Sequence, residues 1–197
     1  MVKIVLMLLL LVTGGFIFPP TVQSDTALYY WFNHDQKKYL WPSIDEFAIF
    51  KPLDAPWVAH LKSDFKAGIQ VVQQTGGMQL WKVKQVQLFI DRIAALPNDQ
   101  VVTLSAVYYE NPRLRGRRFA FPGGVMVIFH SQLTVDQLGI WVKNQNVKME
   151  SSLAWEPKGV LLQSPPGEAS LNLANRLKLL PEVAVSFPNL WYEVHKR

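Results

Sequence analysis

The sequence predicts an α+β protein built from two tandem βαββαβ units that follow an N-terminal export signal. Three observations predict this. Between Gly124 and Arg197, strand-like and helix-like periods alternate in the order strand, helix, strand, strand, helix, strand. The same order recurs in more diverged form between Asp25 and Glu110, and the first 24 residues differ in character from everything after them.

Those first residues read as a signal peptide spanning 1–24. Lys3 gives a short positive start, Ile4 to Val12 is apolar but too short for a membrane span, and Val22 and Ser24 stand at the minus-three and minus-one positions of a cleavage site before Asp25. Gly14, Gly15, Pro19 and Pro20 break the apolar run early, which argues against an uncleaved anchor. The expected destination is the periplasm or the exterior, with no membrane association once the signal is removed. There is no cysteine to acylate or to pair, so stability must come from packing.

Composition sets wide limits. A chain of 197 residues with 49% hydrophobic and 18% charged residues can bury a substantial core. The formal charge of +5 falls to +4 when Lys3 leaves with the signal. That charge is too small and too dispersed for a nucleic-acid partner.

The N-terminal unit, 25–110, opens with an aromatic hairpin. Tyr29 to Phe32 and Tyr39 to Trp41 flank a turn through Asn33–Gln36, and Phe47 to Phe50 form the next strand. Asp54 is a good N-cap with Pro56 just inside, opening a helix that presents Val58, Leu61 and Phe65 on one face. Strands Ile69–Gln74 and Gln79–Lys84 follow across Thr75-Gly76-Gly77, then a helix closing at Asp91–Leu96 before Pro97 and a strand from Val101 to Tyr109.

The C-terminal unit, 124–197, repeats the pattern. Val125 to Phe129 is the first strand, and Thr134 with Gln137 has capping-box spacing for a helix presenting Val135, Leu138 and Val142 inward. A hairpin through Gly159-Val160-Leu161-Leu162 leads to a helix ending Asn175–Leu180 before Pro181, and to a strand from Val183 to Tyr192. This is the ferredoxin-like, open-faced sandwich order in both units, the competing reading being a single such domain behind an unrelated N-terminal extension. Because Val125 to Phe129 is apolar at every position, its second face is expected to be covered, by the other unit or by a partner, with Met126 and Ile128 as candidate interface residues.

Between the units, 111–123 is a basic Pro/Gly linker. Arg113, Arg115, Arg117 and Arg118 place four positive charges within six residues, so the segment reads as solvated, with Arg117-Arg118 as a possible processing site.

Catalytic chemistry is missing from the pattern. His34, His60, His130 and His195 lack metal-ligand spacing, and there is no Gly-rich phosphate loop and no Gly-x-Ser-x-Gly elbow. Asp45 and Glu46 are adjacent, and neighbours on a strand point to opposite faces. The chain is therefore expected not to be an enzyme and to use no metal, cofactor or small-molecule substrate. A sugar platform built from Trp31, Trp41 and Trp57 is a weaker alternative to an aromatic core.

Leu177, Leu180, Pro181, Val183, Pro188 and Asn189, behind the strand, helix and hairpin just described, form a pattern that resembles the propeptide domain of subtilisin-like serine proteases. The resemblance covers about the last two fifths of the chain, without the Asp, His and Ser signature segments of the catalytic domain, so a stand-alone propeptide-like protein is expected. It implies an inhibitor or folding chaperone that docks by its sheet on the protease. Its terminal residues would then lie in the active-site cleft, Arg197 in the first specificity pocket, Lys196 and His195 in the next two, and Val194 in the fourth. The final Lys-Arg pair suits a kexin-like, dibasic-specific enzyme. The competing expectation is an exported interaction or scaffold module that binds an envelope component through the same sheet.

Overall fold

The computed structural model describes residues 29–33, 36–50, 55–75, 77–96, 102–114 and 116–194. The expected signal peptide 1–24, the expected N-cap Asp54, Gly76, Pro97, Val101, Arg115 and the tail residues His195, Lys196 and Arg197 lie outside them. The described chain is mixed α+β, with four helices and two antiparallel sheets. Among these residues no helix is long and apolar enough to cross a membrane.

The larger sheet is organised on one long strand. β1 (Tyr29–Asn33) pairs with the first residues of β2 (Gln36–Phe50), in the register Asn33↔Gln36 expected of the hairpin. The two strands read separately at Tyr39–Trp41 and Phe47–Phe50 are thus one strand of 15 residues. Its middle departs from regular pairing on one side: Pro42 lies opposite Tyr108 and Phe47 opposite Ala106 on β5 (Thr103–Tyr109), so on β5 Ser43–Glu46 have only Val107 across from them. Pro42 cannot donate to a ladder, and the Ser43 hydroxyl accepts from the backbone N–H groups of Asp45 and Glu46 at 3.4 and 3.2 Å.

Then follow α1 (Ala55–Phe65), a 3-10 turn at Lys66–Gly68, β3 (Ile69–Thr75), β4 (Met78–Val83) and α2 (Val86–Ala94). The helices cover one sheet face. Phe89 is fully buried there, its ring centroid 5.7 Å from Phe47, 6.1 Å from Phe65 and 5.9 Å from Trp81. Leu61 is buried in the same core, and Val58 packs against it, as the helical period requires. On the other face Ala48, Met78, Leu80 and Val107 are buried beneath Leu114 and Trp191.

The basic connection is exposed at Asn111–Arg113, Gly116 and Arg117, as expected of a solvated segment, but its end joins the fold. β6 (Arg118–Ala120) pairs with β5, and Phe119, Ala120 and Phe121 are buried. Three apolar residues after the arginines have more to gain from the sheet and from Leu40, Tyr108 and Leu171 than from water.

The smaller sheet contains β7 (Val125–Phe129), β8 (Met149–Ser152), β9 (Gly159–Leu162) and β10 (Val183–Pro188), in the order β10-β7-β9-β8. α3 (Val135–Asn144) and α4 (Glu168–Lys178) cover one face, with Trp141, Ala174 and Leu177 packed on Val125, Val127 and Phe129. The expected capping box is present: Gln137 N–H donates to Thr134 Oγ1 at 3.3 Å, and Thr134 N–H to Gln137 Oε1 at 2.9 Å. Val135, expected inward, is 87% exposed. The cap fixes the helix phase so that Leu138, Trp141 and Val142 face the core, leaving the first helical residue outside.

The two sheets share a ribbon. β10 pairs with β7 up to Pro188↔Val125, Asn189 N–H donates to the Gly124 carbonyl at 3.0 Å, and β11 (Trp191–Tyr192) then pairs with β6 in the larger sheet. Gly123, at the crossing, has φ +100°, and a Cβ there would lie 2.6 Å from the Ser164 carbonyl oxygen. Leu171 of α4 completes the joint against Leu40, Tyr108 and Phe121.

Candidate docking face and tail anchor

A strand buried on one face alternates, and β7 does so despite its uniformly apolar sequence. Val125, Val127 and Phe129 are buried, whereas Met126 and Ile128 are half-buried on the face away from the helices. Met126 lies between Leu161 of β9 and Phe187 of β10, and Ile128 lies beside Val185. These five half-buried side chains form an apolar stripe across the sheet. Gly159 opposes Ile128 and leaves room for Leu153, whose Cδ1 would lie 2.7 Å from a Cβ at that position. The expected full cover over Met126 and Ile128 is therefore only partial. The two sheets join through α4 and the shared ribbon, and α4 and β10 both lie against β1.

An open cleft of about 420 Å³ adjoins the stripe, lined by Gly124, Glu150, Leu161, Gln163 and Asn189. A larger one of about 570 Å³ lies between α4 and the segments 146–148 and 163–165. Its Arg176 guanidinium is already bound to the side-chain and backbone oxygens of Gln145, at 3.1 Å each.

The second feature is a buried polar cluster on the larger sheet. The irregular stretch of β2 turns Glu46 inward, where it is 5% exposed, while Asp45 stays outside and meets Lys82 at 3.4 Å. The Tyr109 hydroxyl donates a short hydrogen bond to Glu46, and Arg118 Nε donates to the Tyr109 oxygen at 3.2 Å and to Glu46 Oε2 at 3.4 Å. Arg118 Nη1 reaches both carboxylate oxygens of Glu193 at 3.2 Å, and Glu193 N–H donates to the Arg118 carbonyl at 3.0 Å. Burial, reinforced by Glu46 and opposed by Arg118, pushes the Tyr109 phenol up to about 12. Burial alone would lower the Arg118 value, but the Tyr109 hydroxyl and Glu46 outweigh it and raise it further above its ordinary range.

Of the residues expected to act, Met126 and Ile128 lie on the open face, and Val194 is 73% exposed just past the anchor. Arg117 places its guanidinium carbon 5.4 Å over the Tyr192 ring. Arg118 is held within β6 between β5 and β11, so cleavage after it would require that strand to leave the sheet. Trp57, on α1, is partly buried and packs against the core. The cluster of Glu46, Tyr109, Arg118 and Glu193 is missed by sequence reasoning. Its one local signal is an acidic residue directly before the apolar run Phe47–Phe50.

No protein-family model matches the chain, and neither a curated protein nor a solved structure matches it.

Proposed function

We propose that this chain is an exported, non-enzymatic, propeptide-like protein that binds a subtilisin-like serine protease, with its second unit as the docking module. In this reading each unit is a ferredoxin-like open-faced sandwich. The strand orders β5-β2-β4-β3 and β10-β7-β9-β8, each with two helices in the βαββαβ succession, support it. The observation that carries the proposal is the apolar stripe of Met126, Ile128, Leu161, Val185 and Phe187, on the sheet face that the helices leave open. The class of partner comes from the residue pattern Leu177, Leu180, Pro181, Val183, Pro188 and Asn189.

Docking on that face would bury on the order of 1,600 Å², the usual size of a specific complex. It would also raise the effective concentration of Val194–Arg197 at the protease's substrate cleft. Extended tail residues add main-chain hydrogen bonds to strands lining such a cleft. A surface complementary to the folded enzyme also favours its folded state, so inhibition and assisted folding are two results of one contact.

The test is a titration of the chain from Asp25 onward against a subtilisin-like protease that cleaves after paired basic residues, reading residual activity on a small peptide. The expected result is inhibition competitive with substrate. The double substitution Met126→Glu and Ile128→Glu should weaken it at least tenfold with little change in melting temperature, because both side chains are already partly in water. Undiminished inhibition by the double variant would remove sheet docking. No effect on active or refolding protease would favour the module for an envelope component instead.

A further inference from the structure

We infer that Arg118 and Glu193 are positioning residues that fix where the chain's final residues leave the fold, so that the first unit holds the tail that the second unit's docking presents. The use of the tail rests on the propeptide-like reading above; the anchor itself rests on geometry alone.

β11 has only two paired residues, Trp191↔Ala120 and Tyr192↔Phe119, too few to hold a strand in place unaided. Trp191 packs on the core of the larger sheet, and the residue after the strand secures its end. Glu193 closes the ladder with its N–H on the Arg118 carbonyl, while its carboxylate takes the Arg118 guanidinium on both oxygens. The side chains of Arg118 and Glu193 are only 23% and 12% exposed, so the pair is sheltered from the solvent screening that weakens surface ion pairs. Arg118 is itself fixed from the far side by Glu46 and the Tyr109 hydroxyl, and it presents its charge to Glu193 already oriented. Arg117 adds a second hold over the Tyr192 ring.

Val194, the residue after this hold, is 73% exposed. Bound extended in a cleft, Val194 to Arg197 would reach roughly 14 Å beyond Glu193. That length spans the four subsites that Val194 to Arg197 would fill, so a slip of β11 by one residue would misplace every side chain of the tail.

The test uses the full chain with Glu193→Gln, Glu193→Ala and Glu193→Asp, all of which leave Glu46, Tyr109 and Arg118 together. Amide hydrogen exchange is measured at residues 191–193, and inhibition of the dibasic-specific protease is measured with and without residues 194–197. The alanine variant should exchange at least tenfold faster at 191–193 while β7 and β10 stay protected, and should inhibit at least tenfold less well. In the truncated background the same substitution should cost nothing further, and aspartate should recover part of the loss. Unchanged exchange would overturn the anchor. An equal loss of inhibition with and without the tail would overturn the positioning role, since Glu193 would then act in some other way. If the unaltered chain does not inhibit, only the protease reading fails; the exchange comparison still decides whether Glu193 holds the tail.

Discussion

The guanidinium of Arg118 lies 3.2 Å from each carboxylate oxygen of Glu193, a residue 75 positions further along the chain. Through it β11 is tied to Glu46 of β2 and Tyr109 of β5, and the larger sheet takes its edge strand from residues 191–192.

The polar cluster makes stability sensitive to alkali. The fold favours the neutral form of Tyr109 and raises its value from 10.0 to about 12, so this contribution is complete below pH 10 and is lost as pH rises through about 12. Chemical denaturation between pH 9 and 12 should show a loss on the order of 2 kcal/mol that Tyr109→Phe lacks. Parallel alkaline slopes for the two proteins would remove the assignment.

The first unit's core should depend on Phe89, which is fully buried against Phe47, Phe65 and Trp81. Phe89→Ala is expected to cost about 3–5 kcal/mol in urea unfolding, through lost apolar burial and the cavity left behind.

Two glycines should respond in opposite directions. Gly123→Ala places a methyl against the Ser164 carbonyl at a φ of +100° and should cost about 1–3 kcal/mol. Gly139 lies inside α3, where an added methyl group would meet nothing within 4 Å, and its replacement by alanine should gain about 0.5–1 kcal/mol. Thermal melts of the two variants check both signs.

Legibility in the sequence follows the range of the interactions. The Thr134–Gln137 cap and the helical face of Leu61 and Phe65 are local, and they are readable because spacing alone determines them. The length of β2 is not, since Pro42 and the polar Ser43–Glu46 stretch look like a break, yet the Ser43 hydroxyl satisfies the backbone there and pairing resumes. Arg118 is hidden for a related reason. Among four arginines near proline and glycine it looks solvated, and its partners Glu46 and Glu193 stand 72 and 75 residues away. The alternating exposure of β7 is equally hidden, because Met126 and Ile128 are as apolar as the neighbours that are buried.

The ribbon that carries β6 into β7 and β10 into β11 also sets an order of assembly. β6 can pair with β5 as soon as residue 120 is available, but its other edge stays open until Trp191 and Tyr192 arrive. The larger sheet therefore cannot be completed as the chain emerges in sequence; it waits for β11, at residues 191–192, to return to β6. Such long-range closure slows folding and makes completion of the two sheets one cooperative event.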